Sequence, residues 1–506
     1  MFAKARGRRQ GRVHRPLAVE MLESRHLLSR LIRVASSDPF AGNTADDVAG
    51  QPGTNYPGSQ VEPFVAANPT RRNNLVGIWQ QDRWSNGGAR GLVVGVSKDY
   101  GNKWTPVVLP GVSLASGGIY QRASNPWLSF APNGVLYATA LAFNTSTSSP
   151  FGNSRSAILV SRSTDGGRTW GAPTTLIDDS NPDVENDKET VTADPKNPND
   201  VYVVWDRVSL DPATGVPDGP TYFSRTTNGG RTWEPARPIY DPGPGTQTVD
   251  NQIVVLPNGT LVDVFVKGSP GGLSGSVELI RSTDHGATWS SPVVVATGTV
   301  LPVTDPDTGA SVRSASELPE VTTDPATGAI YLVLQSVSFT GGPTIHGITF
   351  LMSKDGGLDW SAPIKINQTP TDIPAADQQA FDPMIRVAAD GTVAVTYYDF
   401  RNNTPAPGVP TDTWAVFANP KDPKNLPGGL TNPANWGHEV RLTNQSFDIE
   451  EAPYTTEPPT PGYFLGDYQG LTAVGSQFLS LFSEAGTNGP GTASIFSRRF
   501  HPTRQG

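Results

Sequence analysis

Cysteine is absent from all 506 residues, which excludes disulfides, thiolate metal sites and cysteine nucleophiles together. Histidine occurs only 6 times, with no two copies at metal-ligand spacing, and no run of 18 apolar residues exists to span a bilayer as a helix. Charged residues make up only 17% of the chain, whereas Gly (53) and Pro (47) together take 100 positions. Punctuation that dense leaves no heptad or long helical pattern, so α-helical and coiled-coil classes are excluded. Carboxylates, His and Tyr remain as the strong chemistry.

Positive charge is scarce outside the first 30 residues. That segment holds eight Lys/Arg against Glu20 and Glu23, net +6, so the rest carries 30 basic and 45 acidic residues, net −15. An acidic body disfavours nucleic acid as a partner. Residues 1–30 read as a basic leader that lacks the apolar stretch of an ordinary secretory signal. Its end, Leu22-Glu23-Ser24-Arg25-His26-Leu27-Leu28-Ser29, resembles a short leader motif of large bacterial extracellular and surface proteins; a disordered basic tail is the alternative. Residues 31–502 read as a single domain and 503–506 as a tail.

What the chain does have is a repeat. Five octapeptides share the pattern Ser-x-Asp-x-Gly-x-x-Trp: 97–104, 163–170, 226–233 (with Thr and Asn substituting), 282–289 and 353–360. Each follows one β-like run and precedes another, so each is a hairpin turn. A short carboxylate accepts backbone N–H groups inside such a turn, Gly permits positive φ, and Trp supplies an anchor. The closing Trp residues lie 66, 63, 56 and 71 residues apart, room for four short strands per period. A four-stranded sheet cannot bury both faces alone, and radial stacking solves this, giving an all-β β-propeller.

These octapeptides resemble the Asp-boxes, or bacterial neuraminidase (BNR) repeats, of the sialidase superfamily, over about residues 31–502. A second repeat counts the blades. Tight turns at Asn68-Pro69, Pro132-Asn133-Gly134, Asp194-Pro195, Pro257-Asn258-Gly259, Asp324-Pro325, Asp390-Gly391 and Val474-Gly475 give seven, with six as the alternative. The seventh unit has only three strands, and residues 31–37 are expected to supply its fourth and close the ring. The loops at the end away from the octapeptides vary in length, so function is expected there. The Pro-rich segment 405–434 reads as an insertion, either a lid or a solvated loop.

Counting back seven residues from the turns gives Glu62, Asn125, Lys188, Asp250, Leu318, Asp382 and Asp467, expected where the innermost strands enter the channel. Glu62, Asp382 and Asp467 would form an acidic arc, with Glu189 and Glu320 displaced by one or two positions. Three roles are open for it: a hydrogen-bonding structural element, a Ca²⁺ site, or a sugar site with Glu62, Asp382, Asp467 and Tyr468 as catalytic candidates. Trp79, Trp84, Trp127, Trp205, Tyr398 and Tyr468 are candidate sugar platforms or interblade packing. Arg122, Asp250, Glu189, Glu320, Arg207 and Arg401 are candidate substrate contacts, the last two from recurring Asp–Arg strand ends that also read as local pairs pinning a loop. No metal ligand set is assigned.

Sialidases hold the substrate carboxylate with three Arg, the first in a Phe/Tyr-Arg-Ile-Pro motif, and use a Tyr–Glu pair plus an Asp. The matching strand here reads Val61-Glu62-Pro63-Phe64, so Glu62 stands where the first Arg is needed, and the family's catalytic set does not carry over residue by residue. The expectation is a secreted or surface-displayed bacterial propeller, a monomer, that binds or hydrolyses an extracellular glycan or glycoprotein. A sialidase-like, exo-acting glycoside hydrolase is its enzyme version; a non-catalytic carbohydrate- or protein-binding propeller is the alternative.

Overall fold

Runs such as Leu92-Val93-Val94-Gly95-Val96 are apolar on both faces, and strand Ala89–Ser97 is accordingly buried at every position. Such a strand needs apolar neighbours above and below, which an isolated half-solvated sheet does not offer. The computed structural model describes residues 30–47, 53–270, 272, 274–314, 318–422, 424–458 and 460–501, and its regular structure is β apart from a few single 3-10 turns. The basic leader, except Arg30, and the tail lie outside the described residues.

Strands Gln60–Ala67, Leu75–Arg83, Ala89–Ser97 and Thr105–Val108 form the first antiparallel meander. The pattern repeats seven times, with innermost strands Gln60–Ala67, Arg122–Phe130, Val184–Ala193, Gln247–Val255, Glu320–Thr323, Ala380–Val387 and Gly470–Val474. The first two meanders are joined by the pair Ala89↔Ala123. Each innermost strand lies against that of the next unit, and the seventh lies against the first. In the last unit the fourth strand is Ile32–Arg33, paired antiparallel with Ser497 and Phe496. Val34, Ala35 and Phe40 follow it into a core shared with Trp79, Leu479 and Leu481. Packing between units is close: a Cβ on Gly77 would lie 2.5 Å from Leu481 Cδ2. Phe64 stacks on Trp127 at 3.9 Å between units one and two.

The octapeptides are turns between third and fourth strands. In the second, Asp165 Oδ1 accepts the N–H groups of Arg168 and Thr169, both at 3.0 Å, while Ser163 Oγ accepts Gly167 N–H at 3.0 Å. The sixth unit replaces the octapeptide with an excursion after residue 418 that ends at Trp436. That indole is fully buried, with Nε1–H donating to Leu430 O at 2.9 Å. The segment 405–434 is therefore not one insertion: Pro410–Ala418 is a mostly buried third strand, and the excursion beyond it stands at the octapeptide end. Its composition misled because Pro and Asn flank a strand whose own apolar residues, Trp414 to Ala418, are few.

Candidate functional site

Five innermost strands slip register at one place, between Val61 and Phe64, Ser124 and Trp127, Asp187 and Thr190, Val249 and Gln252, and Phe381 and Met384. Inside each slip one non-glycine residue adopts a left-handed backbone: Glu62 (φ 57°), Asn125 (49°), Lys188 (51°), Asp250 (59°) and Asp382 (48°). These are five of the seven counted positions. Such residues cost about 1–3 kcal/mol each and concentrate where a bulge re-aims a side chain. The seventh unit has no such slip; there Gly466 (φ 142°) lets the chain pass close to the first unit, since a Cβ would sit 2.6 Å from Glu62 Cα. Leu318 departs from the set: it is a buried apolar residue just before strand Glu320–Thr323.

The expected acidic arc is neutralised at its centre. Asp467 receives Arg313 bidentately, Nε to Oδ1 and Nη2 to Oδ2 at 2.9 Å each, and also the Lys188 ammonium. Burial would raise the Asp467 carboxyl, but Arg313 and Lys188 outweigh it and hold the group far below the carboxylate range. Burial would likewise lower Lys188, yet Asp467, Asp187 and Glu62 hold it above its ordinary value. Glu62 accepts from Gln80, lies 3.4 Å from the Asp467 N–H, and is pushed up by burial and then by Asp467. Asp382 is pushed up by burial, then by Asp467 and Glu62, and its Oδ1 has no hydrogen-bond partner. The arc thus comes together in space, one member firmly ionised and two driven toward the protonated form.

Above it opens a cavity of about 830 Å³. Glu62, Lys188, Asp467 and Arg313 line its floor, Glu185, Asp187, Asp206 and Asn125 one wall, and Arg83 and Glu457 another. Residues 146, 147, 149–153, 268–270 and 272, with Phe143, line it toward the end carrying the variable loops. Arg313 arrives through a small accessory sheet in which Ser311–Arg313 pairs parallel with Gly462–Phe464. Arg83 pairs with Glu457 and donates to Gln80 Oε1 at 2.9 Å. Every cation in the cavity already faces a carboxylate.

The remaining candidates are distributed differently. Glu189 and Glu320 are buried on their strands with unpartnered oxygens, and burial pushes both well above the ordinary range. Asp250 accepts Gln252 Nε2 at 2.9 Å and its own N–H donates to Asp206. Arg122 is fully buried, donating to Gly87 O at 2.6 Å and Asn86 Oδ1 at 2.9 Å over the Trp84 ring. Arg207 is forked onto Asp179 at 3.0 and 3.1 Å, away from the preceding Asp206. Only Arg401 pairs with its own recurrent partner, Asp399, at 2.6 Å, and it also meets Glu439. Arg122, Arg207, Arg313 and Arg401, four arginines that could have built one carboxylate clamp, do not come together: the first, second and fourth are loop pins outside the cavity, and of the four only Arg313 lines it.

Tyr468 does not line the cavity either. Its ring packs edge-on to Trp127 at 5.1 Å, and its hydroxyl donates to Pro126 O at 2.9 Å. Trp79, Trp84, Trp127, Trp205 and Tyr398 are buried as well, so for the candidate aromatics the packing alternative holds. Arg83, from the recurring strand end Asp82-Arg83, does line the cavity, whereas the sequence missed Glu185, Asp187 and Glu457. Glu457 sits in a Pro-rich loop with no strand pattern, so no local signal marks it. Among the described residues, no three channel carboxylates gather ligand oxygens as a metal needs; the group that does is Asp194, Asp200 and His285, with ligand atoms within 4.8 Å.

No protein family model matches the chain, and no curated protein matches it. Among solved structures it is similar to a Hadza microbial sialidase, at 17% identity over 84% of this chain and 72% of that one, TM-score 0.45. It is similar to a Penicillium chrysogenum alpha-L-arabinanase complexed with arabinobiose, at 18% identity over 73% and 93%, TM-score 0.44. It is also similar to an intramolecular trans-sialidase from Ruminococcus gnavus, at 13% identity over 93% and 98%, TM-score 0.43. Sialidases and an arabinan-acting enzyme are thus among the solved structures this chain resembles.

Proposed function

We propose that the protein is an extracellular or cell-surface glycan-binding propeller of seven blades, and that the cavity above Asp467 takes an uncharged, hydroxyl-rich sugar. The order of innermost strands, each against the next and the seventh against the first, supports a closed ring. The leader-like sequence ending at Ser29 supports export. The observation that carries the sugar assignment is the pairing of every cavity cation: Lys188 and Arg313 with Asp467, Arg83 with Glu457. An anionic sugar would have to displace a carboxylate already in place, whereas hydroxyl groups use the spare donors and acceptors of the same pairs. An array of neutral and sialylated glycans tests this. Neutral glycans should be retained and sialylation should weaken or leave unchanged the signal; retention that depends on sialic acid overturns the assignment.

A second reading, hydrolysis, is favoured by Glu62 and Asp467. These neighbouring carboxyls are driven in opposite directions, which is how an acid and an ionised partner are assigned in glycosidases. Turnover of a bound glycan that Glu62→Gln abolishes while binding persists would establish it.

A further inference from the structure

At the opposite end from the cavity, units three and four bring Asp194 and Asp200, six residues apart, together with His285, 85 residues further on. Asp194 and Asp200 bracket the turn leading into strand Val201–Leu210, and His285 comes from the octapeptide turn of the next unit. Their ligand atoms lie within 4.8 Å of one another, and His285 Nδ1 is 3.2 Å from Asp200 Oδ2. Asp194 Oδ1 caps the N–H groups of Lys196 and Asn197 at 2.7 and 2.9 Å, and Asp200 Oδ2 also receives Asn197 Nδ2 at 2.8 Å. Among the described residues, Asp194 Oδ2 and Asp200 Oδ1 take no protein hydrogen bond. Arg225, a cation that acts on Asp200, is occupied by Glu234 at 2.9 Å and by the His285 carbonyl.

A second observation points to a ligand. The Tyr202 hydroxyl is buried without a hydrogen-bond partner, and Asp200 and Asp194 are the negative charges acting on it. A phenol left so beside two carboxylates suits a water carried by a bound ion. The chemistry of the set is selective: two carboxylates with one imidazole favour a borderline first-row ion over Ca²⁺ or Mg²⁺, which prefer all-oxygen shells. We propose that Asp194, Asp200 and His285 form a divalent transition-metal site, with Zn²⁺ as its probe, that ties the third unit to the fourth. Both carboxylates and the imidazole would act as ligands, and Tyr202 would hold a metal-bound water.

The octapeptides supply their own control. At the position of His285 (φ 58°), three sibling turns carry glycine in the same left-handed backbone, Gly166, Gly229 and Gly356. His285→Gly therefore removes a ligand and keeps the turn geometry. Full-length protein stripped with EDTA is titrated calorimetrically with Zn²⁺, Ca²⁺ and Mg²⁺, and its Tm is measured with each. Wild type should bind one Zn²⁺ and melt several degrees higher with it, while Ca²⁺ and Mg²⁺ do little. His285→Gly should melt no lower than wild type without metal and lose at least tenfold in Zn²⁺ affinity. Equal Zn²⁺ binding and Tm response in the two proteins, or no Zn²⁺ binding by wild type, overturns the site.

Discussion

Lys188 and Asp467, 279 residues apart in the chain, form an ion pair on the floor of the cavity. One comes from the third unit and the other from the seventh, and Arg313 meets the same carboxylate from a third direction. Mutual repulsion among Glu62, Asp382 and Asp467 alone would make any neutralisation stabilising. The two cations reverse that sign at Asp467 only. Asp467→Asn removes the carboxylate that Lys188 and Arg313 share, leaving Arg313 only Glu457 at 3.6 Å, and should cost about 3–5 kcal/mol. Asp382→Asn relieves a buried carboxyl and keeps a residue type that tolerates left-handed backbone, so its Tm at pH 7 should rise. Calorimetry of both variants decides: shifts of the same sign would show that the charges are not arranged as described.

Burial first and Asp412 second push Glu484 up from 4.5 to about 7, against Arg498 and Arg441. A carboxyl raised on folding favours the native state at low pH. Its contribution is complete below about 4.5 and is lost as pH rises from there through about 7. Glu484→Gln cannot ionise, so it should melt close to wild type at pH 4.5 and above it by pH 7.5, by up to about 3 kcal/mol. Parallel Tm curves for the two proteins across that range contradict this.

Asp165 has its oxygens directed at Arg168, Thr169 and Ser163 within its own turn, at the end away from the cavity. Asp165→Ala should lower stability by about 1–2 kcal/mol through lost turn hydrogen bonds and leave glycan affinity unchanged. A loss of affinity at constant Tm would place the turn in the binding surface instead.

The strand Ile32–Arg33 and the buried Val34, Ala35 and Phe40 complete the seventh unit. A chain beginning at residue 41 should therefore melt well below one beginning at residue 30. Equal melting would mean that the N-terminal strand adds nothing to the packed units.

Much of this arrangement was written locally. The octapeptides announce their own hydrogen bonds, and the tight turns put Glu62, Asn125, Lys188, Asp250 and Asp382 at one depth, where the structure adds the shared left-handed backbone. Asp467 was legible as a position and not as a charge state, because its partners Arg313 and Lys188 lie 154 and 279 residues away. Tyr468 shows the same limit from the other side. Adjacent to Asp467 in sequence, in the bend before strand Gly470–Val474, it packs instead against Phe64 and Trp127. The Asp–Arg strand ends recur in sequence, yet Arg83 and Arg207 choose Glu457 and Asp179, partners that only loop closure brings near.

The pairing of residues 32–33 with 496–497, in strand Ala493–Phe500, also sets a timetable. Synthesis from residue 32 to residue 493 adds 461 residues, about 25–90 s at ordinary translation rates of about 5–20 residues per second. Throughout that time the first strand has no partner, and the outer edge of the last unit does not yet exist. A two-residue strand carrying Arg33 is a poor template for a neighbouring chain, so its brevity protects the nascent protein during the wait. Closure of the last unit thus waits on the final residues made rather than the first.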